Sequence, residues 1–181
     1  MSANRAAIRY AKAVLDITSE SNISNVVFGD MQSVHATIEG SKELRNVLQS
    51  PIVKTDDKKK ALLTIFSGQN DITKRLIEIL ATNKRIGLLG GVAKSYIALY
   101  NEKEGIKEAH VTTAVELTSA LEEKILAKVK ELTGSQKVTL KNEVDESLIG
   151  GFVLRVGDIQ YDASISNQFR KLKREFSKSL N

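Results

Sequence analysis

The chain has no cysteine and no tryptophan, a single proline and few aromatic residues. The absence of cysteine excludes disulfides, thiolate metal ligands and thiol nucleophiles, and it fits a reducing compartment. Because aromatic residues make up only 5% of the chain, the core must be built from Leu, Ile, Val and Ala, which suits helices. The one proline, Pro51, leaves the rest of the chain free to be helical.

Long apolar runs are also missing. No segment approaches the roughly 20 apolar residues that a membrane span requires. Residues 1–9 lack the apolar core of a secretory signal. These two absences predict an intracellular protein that is soluble or peripheral to a membrane.

Groups that perform catalysis or hold cofactors are equally scarce. His35 and His110 are the only histidines and fall in different predicted domains, so no zinc spacing occurs. The glycines within 87–91 are not followed by the Gly-Lys-Ser/Thr of a phosphate loop, and they fit a flexible helix start or a tight helix contact. No Gly-x-Ser-x-Gly elbow occurs. We expect no catalytic residue, metal site or cofactor; a small enzyme with its site hidden in non-local geometry is the alternative.

Positive charge is present in excess, with 27 Lys and Arg against 22 Asp and Glu and a net charge of +5. Such charge favours nucleic acid, anionic lipid or an acidic protein partner, or it simply keeps the protein soluble. The run Lys58-Lys59-Lys60 and the basic last helix are the candidates for nucleic-acid contact. They lack interleaved aromatic residues and a helix-turn-helix pattern. A solvated basic face is the favoured interpretation, and a basic nucleic-acid-binding helical protein is the alternative.

Apolar residues recur at three- and four-residue spacing through residues 1–104, as in helices that bury one face. Helices are predicted at about 1–21, 23–39, 44–48, 55–67, 71–83 and 85–104. Short helices with short joints predict a compact six-helix bundle over residues 1–105. Ala6, Ala7, Tyr10 and Ala13 give the first helix a smooth, shallow face that can accept a second helix at close range.

After Gly105 the period of the apolar pattern changes. Alternating residues at 109–115 and 138–144 predict two strands. Between them, the capping box Ser119-Ala-Leu-Glu122 opens a helix that Gly134 ends. The order strand, helix, strand follows.

A hairpin then begins at Phe152, because Gly157-Asp158 is a two-residue turn signal between two arms with strand character. Asp162 ends the hairpin and can accept from the first free N–H groups of the last helix. Gly150 and Gly151 fit a bulge or a close backbone approach.

The last helix carries a narrow apolar stripe flanked by basic residues. The stripe consists of Ile165, Phe169, Leu172, Phe176 and Leu180. We expect it to pack on the hairpin, and exposure of part of it to a partner is the alternative. Residues 106–181 thus form a second, small strand-and-helix domain, and the chain is predicted to be α+β and mainly α.

Three segments resemble one protein family. They are Ile8-Arg-Tyr-Ala-Lys-Ala-Val-Leu-Asp16, the stretch 76–88 with its Asn-x-Arg joint, and the stretch 138–164. The last contains the signature residues Gly150, Gly151, Arg155, Gly157, Asp158 and Asp162. The chain resembles the delta subunit of the F-type ATP synthase, the counterpart of the mitochondrial oligomycin-sensitivity-conferring protein, over essentially its whole length.

The resemblance implies a non-catalytic stator subunit that links the catalytic head to the peripheral b stalk. It places the N-terminal helix of an alpha subunit in a groove between the first and fifth helices. The groove residues would be Tyr10, Ala13, Val14, Ile17, Leu76, Ile79, Leu80 and Asn83.

The resemblance also implies that the C-terminal domain holds the C-terminal end of the b subunits. We expect these contacts at the hairpin and the last helix, with Phe169, Leu172 and Phe176 as possible contact residues. No cofactor and no nucleic acid are expected, and membrane association would come only through the complex. The lack of a transit-type N-terminus favours the cytoplasmic side of a bacterial cell membrane, with the chain as a peripheral component.

Overall fold

The structure, a computed structural model, describes residues 2–115, 117–134, 137–145 and 148–179. The chain divides into two compact units, Met1–Lys103 and Glu104–Asn181. Helices make up the first unit, and the described residues of the second add a four-stranded mixed sheet. The predicted α+β class, mainly α, is confirmed.

Short loops join the helices of the first unit. Its elements are α1 (Ser2–Glu20), α2 (Ser24–Gly40), α3 (Lys42–Gln49), α4 (Thr55–Ile65), α5 (Asp71–Thr82), a 3₁₀-helix (Ile86–Leu88) and α6 (Leu89–Lys103). α6 packs along α1 and α2, and α5 packs along α4. Most of the fully buried side chains are aliphatic, among them Leu62, Ile77 and Leu80, as the low aromatic content predicts.

Small residues let α6 approach its neighbours closely. A Cβ added to Gly91 would lie 3.4 Å from Cβ of Ala7, and one added to Gly90 would lie 3.3 Å from Cγ2 of Ile38. A larger residue at either glycine would push the helices apart. The glycines of this segment therefore serve tight helix contacts.

Three buried or half-buried polar contacts fix the positions of the helices. The Tyr96 hydroxyl lies 3.0 Å from the Thr18 hydroxyl of α1 and donates to the backbone carbonyl of Ser24 in α2. Burial raises the pKa of Tyr96. In α2, Asp30 Oδ2 accepts from the Thr73 hydroxyl of α5 at 2.8 Å. Since buried polar groups are costly without partners, these contacts favour one arrangement of α1, α2, α5 and α6.

The joint between α5 and α6 differs from the prediction. A sixth helix is predicted from residue 85, but the 3₁₀-helix comes first and α6 begins at Leu89. Lys84 has a φ of 55°, and the N–H of Arg85 donates to the carbonyl of Leu80 at 2.7 Å. This left-handed ending satisfies a terminal carbonyl of α5 and turns the chain. Lys84 and Arg85 are left exposed at the turn.

The second unit combines a sheet with two helices. Its elements are β1 (Lys107–Thr113), α7 (Ser119–Thr133), β2 (Val138–Val144), β3 (Phe152–Val156), β4 (Ile159–Asp162) and α8 (Ile165–Ser179). The strand order is β2-β1-β3-β4, with β1 parallel to β2 and the other neighbours antiparallel. The predicted hairpin is confirmed as β3 and β4, joined by Gly157 and Asp158.

One face of the sheet is buried. Its core cluster contains Ala109 and Val111 of β1, Leu154 and Val156 of β3, and Ile125 and Val129 of α7. Because successive strand residues point to opposite faces, Glu108, His110 and Arg155 belong to the other, open face. The sheet therefore has a single apolar layer, which α7 covers.

Predicted boundaries of two elements in this unit are wrong. β1 runs from Lys107 to Thr113 instead of from 109 to 115, because its register with β2 begins at Lys107 and Val138 and ends at Thr113 and Val144. α7 has Thr118 at its N-cap position, without a side-chain capping bond, so Ser119 is already helical and is not the N-cap residue that the predicted capping box requires. Gly134 ends α7 with a φ of 67°, as predicted.

Candidate functional site

α1 and the end of α5 meet at the surface of the helical unit. Nδ2 of Asn83, the C-cap residue of α5, donates to Tyr10 Oη at 3.1 Å. The buried Ala7 and Ala11 lie on the core-facing side of α1, where the Ala7 methyl faces α6. The contact with Asn83 places Tyr10 beside the end of α5.

The eight residues predicted for the alpha-subunit groove fall into two groups. Ala13, Ile17, Ile79 and Asn83 are exposed and Tyr10 is half-buried, whereas Val14, Leu76 and Leu80 are buried. The buried three belong to the core, so here they support the surface and do not line it. Ile17 and Ile79 are 53% and 50% exposed, which leaves apolar area available on both helices.

A shallow depression of about 270 Å³ lies next to Tyr10. It is lined by Ala6, Arg9, Tyr10, Ala13 and Arg85. The alanines and the tyrosine give it apolar walls, and the two arginines add positive charge. The sequence prediction for this surface omits both arginines, although Arg9 precedes Tyr10 and Arg85 belongs to the Asn-x-Arg joint.

The glycines of the hairpin signature shape the backbone. Gly151 has a φ of 81°, and a Cβ added there would lie 2.4 Å from the backbone oxygen of Ala163. The Gly150 carbonyl accepts from the N–H of Ile165 at 3.0 Å. The predicted close approach is confirmed, and it joins the sheet to the start of α8. Gly157 takes a φ of 57° in the hairpin loop.

Asp162 orients the backbone just before α8. Its Oδ1 accepts from the N–H of Ser164 at 2.9 Å, and the Ser164 hydroxyl accepts from the N–H of Asn167 at 3.3 Å. The capping residue is therefore Ser164, and Asp162 acts two residues earlier. Hydrogen bonds from Ser164 lower the pKa of Asp162. The other signature residues, Arg155 and Asp158, are exposed.

The apolar stripe of α8 is largely uncovered. Ile165, Phe169 and Leu172 are 37%, 70% and 52% exposed, while the side chains of Phe176 and Leu180 lie outside the described residues. The prediction that the stripe packs on the hairpin is wrong for Phe169 and Leu172. The apolar face to which the hairpin contributes is already covered by α7. The stripe is therefore available to a partner.

The lysine run of α4 does not form one basic face. Lys58 is buried, and its Nζ donates to the carbonyls of Leu48 and Ser50 at 2.9 and 2.6 Å, at the end of α3. Lys59 is half-buried and Lys60 is exposed. One of the three lysines therefore serves as a helix cap, which does not favour a nucleic-acid surface.

The open face of the sheet carries neighbouring opposite charges. Glu108 Oε1 lies 3.0 Å from His110 Nε2 and 2.7 Å from Lys141 Nζ. Arg155 is the register partner of His110 on β3 and is exposed. This face is polar, in contrast to the stripe of α8.

Comparison with known proteins identifies the family. Residues 6–176 match the family model of the ATP synthase delta (OSCP) subunit. The chain belongs to this family. It is 52% identical over 175 residues to the ATP synthase subunit delta of Christiangramia forsetii, covering 97% of this chain and 95% of that protein. The chain is also 45% identical to the ATP synthase subunit delta of Flavobacterium psychrophilum, and the match covers 98% of this chain and 99% of that protein.

The fold of this chain has also been seen in a solved structure. A chain in the cryo-EM structure of the Toxoplasma gondii mitochondrial ATP synthase hexamer is similar, with a TM-score of 0.72 and 25% sequence identity. The likeness covers 94% of this chain and 96% of that one. The resemblance stated from the sequence is therefore confirmed over nearly the full length.

The delta (OSCP) subunit is a structural, non-catalytic part of the stator of the ATP synthase, a complex associated with a membrane. The alternative of a nucleic-acid-binding protein finds no support in these relationships. Among the residues that the structure describes, no helix is both long enough and apolar enough to cross a membrane.

Proposed function

We propose that the chain ties the catalytic head of the ATP synthase to the b stalk through one interface in each unit. Rotation of the central shaft exerts torque on the head, and an unbraced head would turn with the shaft. Proton-driven rotation would then not be coupled to ATP synthesis. A brace requires extensive helix contacts and no reacting group. The exposed apolar side chains on the helices of both units suit such contacts.

In the helical unit, the proposed partner is the N-terminal helix of an alpha subunit. The exposed Ala13, Ile17 and Ile79 beside the Tyr10–Asn83 contact carry this proposal. A small residue lets a second helix approach closely, and the isoleucines offer apolar area to an amphipathic helix.

In the second unit, the proposed partner is the C-terminal end of the b subunits. Phe169 and Leu172 are exposed at i, i+3 spacing and so share one side of α8. An uncovered apolar stripe of this kind suits a partner helix. The hairpin signature sets where α8 leaves the sheet, and Phe176 is proposed as a further contact from its spacing.

We place the protein at the cytoplasmic side of a bacterial cell membrane, attached only through the complex. The bacterial relatives described above support this location.

Calorimetric titration of the full chain with a peptide of its own alpha-subunit N-terminus tests the first interface. We expect one-to-one binding without the steep salt dependence of nucleic-acid complexes. Ala13→Trp should weaken binding at least about tenfold, because the indole fills the space of the incoming helix. The free energy of unfolding should change by less than about 0.5 kcal/mol, since Ala13 is exposed.

Ala36→Trp is the matched control, since Ala36 is an exposed alanine of α2 between the buried Val34 and Ile38. Binding should be unchanged in this variant. Equal affinity of the unaltered protein and Ala13→Trp would show that the groove is elsewhere.

A further inference from the structure

Arg9 and Arg85 are two charged side chains without a counter-ion at the proposed alpha-subunit surface. Both are exposed and both line the depression beside Tyr10. Within the described part of the chain, neither guanidinium has a hydrogen bond or an ion pair. Since guanidinium stays protonated and carries five donors, two such groups form a ready site for an anion.

The positive charge continues beyond this depression. A second depression, of about 570 Å³, shares Ala6 and Arg85 with the first and is also lined by Lys58 and the exposed Lys84. Among the residues that the structure describes, neither depression is lined by Asp or Glu. Lys58 already donates to the end of α3, so the described cations of the two depressions that remain free are Arg9, Lys84 and Arg85. Arg85 stands where the depressions meet.

The apolar walls restrict what such an anion can be. Ala6, Tyr10 and Ala13 can contact methylene groups, and the arginines can bind a carboxylate through paired N–H donors. A glutamate on an incoming helix has both parts, a methylene stem and a terminal carboxylate. Because the depression adjoins Ala13, that glutamate would be carried by the same helix that occupies the proposed groove.

We propose that the alpha-subunit helix presents an acidic side chain to Arg9 and Arg85, and that this contact sets the helix's register along the groove. The inference rests on the proposed function, because it concerns the same surface. The apolar contacts of Ile17 and Ile79 would supply affinity, while the carboxylate would distinguish the correct position from one shifted by a helical turn.

Titration of full-chain variants with the alpha N-terminal peptide tests the proposal. Arg85→Gln should weaken binding about three- to tenfold at low salt, as for a partly desolvated charge pair. Arg9→Gln should act in the same direction. Lys60→Gln removes the same charge from an exposed lysine outside both depressions and should leave the affinity unchanged.

A series of peptides, each with one Asp or Glu replaced by the amide, identifies the partner residue. One peptide should lose as much affinity as Arg85→Gln, and combining the two changes should cost little more than either alone. The difference in affinity between the unaltered protein and the Arg85→Gln variant should shrink at about 0.5 M salt, where charges are screened within a few ångströms.

The outcomes separate this inference from the proposed function. If the peptide binds and Ala13→Trp blocks it, but Arg85→Gln and Arg9→Gln bind normally, the groove stands and the acidic contact is refuted. If the loss of binding free energy for every amide peptide simply adds to the loss for Arg85→Gln, no single carboxylate is paired with Arg85. The arginines then act only through the overall positive charge of the surface, and the inference fails. If the unaltered protein does not bind the peptide, both proposals fall.

Discussion

The helical unit and the strand-containing unit cover their apolar side chains to different extents. In the helical unit α6 lies against both α1 and α2, and large side chains such as Met31, Leu62 and Tyr96 are fully buried. In the other unit α7 covers one face of a sheet whose cluster includes the small Ala109. The exposed Phe169 lies in this second unit, whereas the large exposed apolar residues described in the helical unit are isoleucines and valines.

This difference indicates how each unit depends on partners. Burial stabilises by roughly 25 cal/mol for each Å² of apolar area. A unit with a smaller buried core therefore has a smaller free energy of unfolding. The helical unit should keep its shape in the free protein. The strand-containing unit should rely on a few specific contacts and should gain stability when a partner covers α8.

The largest expected effect is at Gly151, where the sheet meets α8. Alanine there would place its Cβ 2.4 Å from the Ala163 oxygen and hold a φ of 81°. We expect Gly151→Ala to lower the free energy of unfolding of the strand-containing unit by about 3 to 5 kcal/mol. Hydrogen exchange, resolved peptide by peptide, measures the two units separately.

Gly157→Ala is the matched control in the same unit. Its φ is also positive, at 57°, but a Cβ would meet nothing within 4 Å, so a loss of about 1 to 2 kcal/mol is expected from backbone strain alone. Equal losses in both variants would mean that the close approach to Ala163 is unimportant. If Gly151→Ala also lowered hydrogen-exchange protection within residues 1–103, the two units would unfold together, and their stabilities could not be compared separately.

A smaller effect is expected in the helical unit at Lys58. Lys58→Met keeps most of the buried stem but removes the hydrogen bonds to Leu48 and Ser50. The free energy of unfolding of this unit should fall by about 2 kcal/mol, because two carbonyls lose a charged donor. The same exchange experiment measures it, with the exposed Lys60→Met as control. Equal protection in the two variants would show that water replaces the lysine at no cost.

The elements predicted best from the sequence are those decided by neighbours in the chain. The hairpin follows from Gly157, whose positive φ only glycine adopts freely, and the end of α7 follows from Gly134. The predicted start of β1 is two residues late, because the true start depends on pairing with Val138 on β2. Register of this kind depends on the partner strand, which local periodicity does not contain.

The candidate surface depends on the family resemblance, and its details depend on packing. Periodicity identifies the apolar side of one helix, but another helix decides which of its residues are covered. Val14 and Leu80 are therefore buried while Ile17 and Ile79 are exposed. The sequence prediction packs Phe169 on the hairpin because the spacing of the stripe can be read from the sequence. That α7 already covers the apolar face of the sheet cannot be read from it.

The smallest effect on stability is expected at Phe169. This residue tests most directly whether the second unit leaves apolar side chains uncovered. The side chain is 70% exposed, so Phe169→Gln should change the free energy of unfolding by less than about 0.5 kcal/mol. Binding to a peptide from the C-terminal end of the b subunit should nevertheless weaken at least about tenfold, since an aromatic anchor is lost. Calorimetric titration and urea unfolding measure the two quantities.

Lys171→Gln, an exposed neighbour on α8, is the control for binding. Unaltered binding in Phe169→Gln would move the b-stalk interface away from the stripe. A large loss of stability would contradict the exposure of Phe169 and would mean that α8 packs against its own unit in solution. A stable variant that has lost b binding would instead show that the second unit leaves apolar area uncovered because a partner completes it.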